Sequence, residues 1–220
     1  MGRERDIFQG LHHRTSRDYL ARMQHDKVNS MRVSRRFDHD YWDGDRRFGY
    51  GGYRYDGRWK AVAQGLIDIY GLGNSSHVLD VGCGKGFLLY ELKMLLPGLV
   101  IAGFDISGYA INAAKEEVKE HLFIHDAKDI YPFGDNTFDL AISLTTLHNL
   151  GIVGLKSALG ELDRVAKQGY IVLDSYRDEK ELFNLQCWSL TCEQFFRPEE
   201  WFWLFNQFGY SGDYEFIFFE

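Results

Sequence analysis

The sequence predicts a doubly wound α/β domain, a mostly parallel sheet of six or seven strands with helices on both faces, preceded by an N-terminal cap over residues 1–58. Three observations carry that expectation. The stretch from His77 to Gly86, His-Val-Leu-Asp-Val-Gly-Cys-Gly-Lys-Gly, reads as a strand running into a tight turn, and the helix-like Phe-Leu-Leu-Tyr-Glu-Leu-Lys-Met-Leu-Leu follows directly. Short apolar runs and helical spacings then alternate as far as residue 173, which is the order of a parallel sheet with crossover helices. No internal repeat and no low-complexity linker interrupts residues 59–220, so these form one domain on which the flanking segments pack.

Taken in order, residues 1–47 carry dense mixed charge with scattered apolar positions (Ile7, Leu11, Tyr19, Leu20, Met23), compatible with one or two short helices. From Phe48 to Trp59 glycine alternates with aromatic residues, a loop in which glycine permits sharp backbone geometry. Residues 59–70 read as a helix with Val62, Leu66, Ile67 and Tyr70 on one face, stopped by Gly71 or Gly73. The first strand is 77–81, and the helix from Phe87 ends before Pro97-Gly98. Further strands are expected at 99–104, 122–125, 138–144 and 170–173, with helices at 108–120 and 153–166 between them. Pro198 opens a helix to about Phe208, and a last strand covers 214–219. The apolar residues 185–190 are the alternative source of a seventh strand.

Composition excludes several classes. The chain is 45% hydrophobic and 26% charged, and no apolar run approaches the ~20 residues of a membrane span. Its charged first residues, Met-Gly-Arg-Glu-Arg-Asp, resemble no signal segment, so a cytoplasmic location is expected. Cys83, Cys187 and Cys192 are an odd number and are expected to be reduced. No cysteine or histidine spacing suits a metal, and His12, His13, His25 and His39 read as surface residues. The net charge of -7 divides unevenly: residues 1–58 carry +4, almost all of it from arginine. That residue suits forked recognition of carboxylate or phosphate, while the acidic remainder argues against a nucleic-acid partner.

The three glycines differ from a nicotinamide fingerprint. Gly82, Gly84 and Gly86 are spaced Gly-x-Gly-x-Gly, with Asp80 two residues ahead. A carboxylate there would repel a pyrophosphate and attract a cofactor carrying an ammonium or sulfonium. Asp105 ends the second strand, where a carboxylate can accept ribose hydroxyls. Asp126, followed by the small Ala127, ends the third, where it can accept a hydrogen bond from the adenine amine.

On these residues the chain resembles the class I S-adenosylmethionine-dependent methyltransferases over at least residues 59–210. Residues 78–86 match the first motif of that family, Asp105 its ribose acid, Asp126 its adenine-side acid and residues 138–143 its fourth motif. The resemblance implies S-adenosyl-L-methionine as cofactor, held by Asp80, Gly82, Cys83, Gly84, Gly86, Asp105, Ile106, Asp126, Ala127 and Ser143. It also implies an acceptor covered by the N-terminal segment. His148, after the fourth strand, and Tyr53 are the catalytic candidates; Tyr50, Tyr55 and Arg58 are the substrate-binding candidates. The arginine-rich front suggests a small phosphorylated, nucleotide-linked or carboxylated acceptor, with O-methylation favoured. N-methylation, a macromolecular acceptor, or a silent cofactor-binding subunit are the alternatives. The aromatic residues Trp188, Phe195, Phe196, Trp201, Trp203 and Phe205 read as core, as a homodimer face, or as the wall of an acceptor pocket.

Overall fold

The computed structural model describes residues 2–12 and 17–220; His13 lies outside them, as does the side chain of His12. The N-terminal residues make α1 (Gln9–His12), α2 (Tyr19–Gln24), α3 (Lys27–Ser34), α4 (His39–Trp42) and a 3-10 turn at Arg46–Phe48, more helix than the one or two pieces expected. Local capping explains part of this: the Asp18 and Asp26 carboxylates accept from Ala21 N and Asn29 N at the starts of α2 and α3. In α5 (Trp59–Tyr70), Val62, Ala63 and Leu66 are buried, and Gly71 closes the helix in the left-handed region.

The sheet is built from β1 (His77–Val81), β2 (Val100–Asp105), β3 (Leu122–Ile124), β4 (Leu140–Leu144), β5 (Gly169–Asp174) and β6 (Asp213–Ile217). The intervening helices are α6 (Phe87–Leu95), α7 (Gly108–Asn112), α8 (Glu116–Lys119), α9 (Ile152–Val165), α10 (Glu179–Trp188) and α11 (Pro198–Phe208). The order is β3-β2-β1-β4-β5-β6, and every pairing is parallel. Two cores cover the faces. Val78, Ile142 and Val172 pack with Leu66, Leu88 and Leu92 on one side, while Leu79, Val81, Ile171 and Leu173 pack with Leu159, Leu162 and Trp201 on the other. This alternation along each strand is the period-two geometry of a sheet buried on both sides.

Two expectations change. Residues 185–190 do not supply a seventh strand; they fall largely within α10, whose Leu185 and Cys187 face the core. The expected helix over 108–120 is two helices, because Lys115 is extended (φ −59°, ψ 131°). The N-terminal segment also does more than cap. Glu4 pairs parallel with Tyr214 on the free edge of β6, and Glu215, fully buried on β6, accepts from Ile7 N at 2.8 Å and Phe8 N at 3.0 Å. Residues 37–53 are the part that reaches over the carboxyl ends of the strands. The chain order reverses between β1 and β4, and ligands of open α/β sheets bind outside such a reversal. No helix among the described residues is long and apolar enough to cross a membrane.

Candidate active site

Gly82, Gly84 and Gly86 all have positive φ (80°, 55° and 66°), which only glycine adopts at little cost. A Cβ on Gly82 would lie 2.1 Å from Thr146 Oγ1, and one on Gly84 would lie 2.9 Å from the Trp42 ring. The turn spends its amides on structure: Gly82 N and Cys83 N both donate to Phe104 O at 2.8 and 3.0 Å, and Gly84 N donates to Asp105 Oδ2 at 2.9 Å. Asp105 Oδ1 takes Ser107 N at 2.8 Å. Each carboxylate oxygen keeps a second acceptor site, so Asp105 is held rigidly and can still accept hydroxyls.

A cavity of about 350 Å³ opens over this turn. Eight of the ten residues expected to hold the cofactor line it: Asp80, Gly82, Cys83, Gly84, Asp105, Ile106, Asp126 and Ala127. The other two do not. Gly86 lies beneath the turn against Leu122 and Val118, and Ser143, fully buried, donates to Val81 O at 2.9 Å, tying β4 to β1. Asp80 is 4% exposed. Burial and the charge of Asp105 push its carboxyl up to about 8, and it accepts no hydrogen bond among the described residues. Asp126 is paired with Lys128 Nζ at 2.7 Å, so an adenine amine would share or displace that lysine. Burial keeps the Cys83 thiol protonated.

The roof comes from the N-terminal segment. Trp42 Nε1 donates to Ser107 Oγ at 2.9 Å, and Tyr53 stacks on Phe87 with ring centroids 5.1 Å apart. Lys85, inside the glycine turn, donates to both oxygens of Asp43 at 2.8 and 2.6 Å and to Tyr53 O at 2.8 Å. Asp43 also takes Tyr109 OH and Tyr53 N. The sequence reading did not single out Lys85, Asp43 or Trp42, although a lysine between two of the glycines was a signal that the turn needs an anchor.

A second cavity, of about 330 Å³, adjoins the first. The two share Tyr41, Tyr50, Tyr53, Trp59, Thr145 and Asn149. Thr145 ends β4 with φ +55°, a conformation that costs a β-branched residue ~1–3 kcal/mol and that concentrates at functional sites. His148 and Asp174 line the second cavity. His148 Nδ1 accepts Asp174 N at 3.1 Å and Nε2 lies 3.4 Å from Asp174 Oδ2. With its Nδ1 lone pair used and its Nε2 proton facing a carboxylate, the imidazole is neutral, and burial lowers its pKa. Neither nitrogen is open to take a proton from an acceptor. Burial raises Asp174 in turn. Asp174 escaped the sequence reading despite its place at the carboxyl end of a strand.

Tyr53 OH accepts from Trp59 Nε1 at 3.0 Å. Arg58 reaches the second cavity while pairing with Asp56. Tyr55 enters neither cavity; its hydroxyl donates to Glu91 at 2.7 Å, and Lys115 Nζ sits 4.1 Å from its ring centre. Of the aromatic group, Trp188 lines the second cavity, Trp201 and Phe205 are core, and Trp203 is 61% exposed. His25 and His39 are exposed. Among the described residues no cluster of side chains could hold a metal ion.

A family model described as a methyltransferase domain matches residues 72–209. An uncharacterized methyltransferase of Synechocystis sp. is 31% identical over 108 residues, covering 48% of this chain and 50% of that protein. The mitochondrial arginine-hydroxylase NDUFAF5 of Mus musculus is 28% identical over 109 residues, covering 50% of this chain and 31% of its own. The chain thus spans half or less of the length of these curated relatives. A geranyl diphosphate C-methyltransferase from Streptomyces coelicolor, solved with S-adenosyl-L-homocysteine, superposes with a TM-score of 0.53 at 15% sequence identity, covering 67% of this chain and 59% of that one.

Proposed function

Because this chain belongs to the class I S-adenosylmethionine-dependent methyltransferases, we propose that it methylates a small anionic acceptor, on oxygen, in the second cavity. The observation that carries this reading is the shared wall: Tyr50, Tyr53 and Thr145 border both cavities, so a cofactor in one and an acceptor in the other meet there. Five arginines, Arg17, Arg22, Arg46, Arg54 and Arg58, line the second cavity against one aspartate, which supports an anionic acceptor.

The residues present fit the cofactor. When bound, S-adenosylmethionine supplies an activated methyl group. The glycine turn leaves room that a side chain would fill, Asp80 offers a carboxylate without a protein partner to a cationic amine, and Asp105 offers acceptor sites to the ribose. Ile106 and Ala127 supply apolar wall for the adenine ring. Trp42 and Tyr53 exclude water from above, which strengthens each charge interaction beneath them. Tyr53, its hydroxyl already accepting from Trp59, acts as wall and orienting group. His148 holds Asp174. Most of the acceleration would come from alignment of acceptor and donor.

The test is methyl transfer from radiolabelled S-adenosylmethionine to a panel of anionic hydroxylated metabolites and their amine analogues. Label in a base-stable methyl ether or a base-labile methyl ester, lost when the Asp80→Asn and Asp105→Asn changes are combined, is the expected result. Cofactor binding with no transfer to any acceptor would overturn the enzymatic reading.

A further inference from the structure

The second cavity has a chemistry finer than its net charge. Three guanidiniums surround one indole: Arg22, Arg46 and Arg17 lie 4.8, 5.0 and 5.5 Å from the Trp188 ring centre. Neither Arg22 nor Arg46 forms an ion pair with a described carboxylate. Arg22 donates to Trp188 O, and burial, with a smaller contribution from the charge of Arg46, lowers the pKa of Arg22 to about 10. Like charges brought together beside an aromatic face are relieved by an anion.

Two features restrict that anion. The carbonyls at the end of α10 face the cluster: Cys187 O and Ser189 O accept from Lys27 Nζ and Trp188 O accepts from Arg22. The carboxyl end of a helix is electronegative, and Asp174 faces the same cavity. A dianionic phosphate would be repelled by both, whereas a monocarboxylate would meet half that penalty and still match the guanidinium fork. The rest of the lining is largely apolar and aromatic, including Phe8, Trp59, Ile217 and Phe219, which suits a flat ring. Finally, Asp174 Oδ2 lies 3.4 Å from His148 Nε2, Arg17 acts on the same carboxylate, and no hydrogen bond to Oδ1 is made by the described residues.

We propose that the second cavity takes a hydroxylated aromatic monocarboxylate, its carboxylate held by Arg22 and Arg46 beside Trp188 and its hydroxyl directed at Asp174 Oδ1. This rests on the methyltransferase reading above and names its acceptor class. In the reaction, the acceptor oxygen forms the bond to the methyl carbon, the carbon–sulfur pair returns to sulfur, and the hydroxyl proton passes to Asp174. His148 is a positioning residue: its Nε2 proton fixes the carboxylate that receives the acceptor's proton.

Binding tests this without knowledge of the natural acceptor. The full chain saturated with S-adenosyl-L-homocysteine is titrated with the hydroxybenzoate isomers, benzoate and phenyl phosphate, by calorimetry and by tryptophan fluorescence, with Trp188→Phe identifying the reporting ring. At least one hydroxybenzoate binds saturably, benzoate about tenfold more weakly, and phenyl phosphate more weakly still. Arg46→Gln, at an exposed rim position, and Arg22→Gln each lower hydroxybenzoate affinity at least tenfold with S-adenosyl-L-homocysteine affinity within twofold. Asp174→Asn removes the preference for hydroxybenzoate over benzoate. Intact S-adenosyl-L-homocysteine binding without saturable binding of any hydroxybenzoate, or with tighter binding of phenyl phosphate, overturns the acceptor class alone. Failure of the unaltered chain to bind S-adenosyl-L-homocysteine overturns the methyltransferase reading itself.

Discussion

Lys85 Nζ lies 2.6 Å from Asp43 Oδ2, so the glycine turn of the cofactor cavity and the roof above it are joined by one ion pair. The lysine side chain is only 6% exposed and the aspartate 24%. Asp43 sits just after α4, between Trp42 and the loop that carries Tyr50 and Tyr53. A residue of the glycine turn therefore sets the position of the wall that the two cavities share.

Removing the two partners should have unequal effects. Asp43→Asn leaves a buried ammonium without its countercharge, whereas Lys85→Met leaves Asp43 its bonds from Tyr109 and Tyr53. Asp43→Asn should lower unfolding free energy by about 2–3 kcal/mol and Lys85→Met by less. Urea midpoints check the order. Both variants should release S-adenosyl-L-homocysteine faster in stopped-flow displacement, because the roof is loosened.

Asp80 predicts a pH dependence. Its folded pKa, about 8, lies above the ordinary 3.8, so the folded ligand-free chain holds a proton that the unfolded chain loses. Its contribution to stability is complete below pH 3.8 and disappears as pH rises to about 8. Binding a cationic amine needs the ionised form, so S-adenosyl-L-homocysteine affinity should rise from pH 6 to pH 8.5 with proton release, seen by calorimetry in buffers of different ionisation enthalpy. Asp80→Asn should raise the melting temperature of the free chain at pH 8 and abolish both the affinity rise and the proton release.

Gly82→Ala should be the most damaging change in the turn. It combines φ +80° with a Cβ 2.1 Å from Thr146 Oγ1, for which about 2–4 kcal/mol is expected from strain and overpacking together. Thermal unfolding measures the loss. Gly71→Ala, at φ +63° with nothing near the new Cβ, is the comparison and should cost only the conformational part, about 1–2 kcal/mol.

Glu215→Gln should free the start of the chain. Glu215 accepts from Ile7 N, Phe8 N and Tyr170 OH in a fully buried position, and an amide replaces one acceptor oxygen with a donor that confronts the backbone N–H groups. Faster hydrogen exchange at Ile7 and Phe8 is expected, with a loss of about 2–3 kcal/mol in global stability.

The lining of the first cavity was legible because its signals are local. Asp80, the glycines, Asp105 and Asp126 each sit at the end of an apolar run, and β1, α5 and α11 fall where periodicity and the flanking Gly and Pro place them. The second cavity was not, because Arg22, Arg46, Trp188 and Asp174 come from four separated segments that only the fold brings together. His148 was found as a polar residue in the right place, yet the amide of Asp174, which occupies its lone pair, leaves no mark in sequence. The apolar stretch at residues 185–190, the alternative source of a seventh strand, misleads for a related reason: a helix buried along one side and an edge strand differ little over six residues.

The pairing of Glu4 with Tyr214 has a further consequence. β6 ends the sheet with a row of amides and carbonyls that would otherwise invite a strand from another molecule. Gly2 N, Arg5 N and the carbonyl of Arg3 occupy part of that row, and the Arg5 side chain closes on Asp213 at 2.6 Å. Residues 2–5 thus cover part of the open edge of the sheet, and displacing them would bare backbone groups of β6 to pairing with another strand.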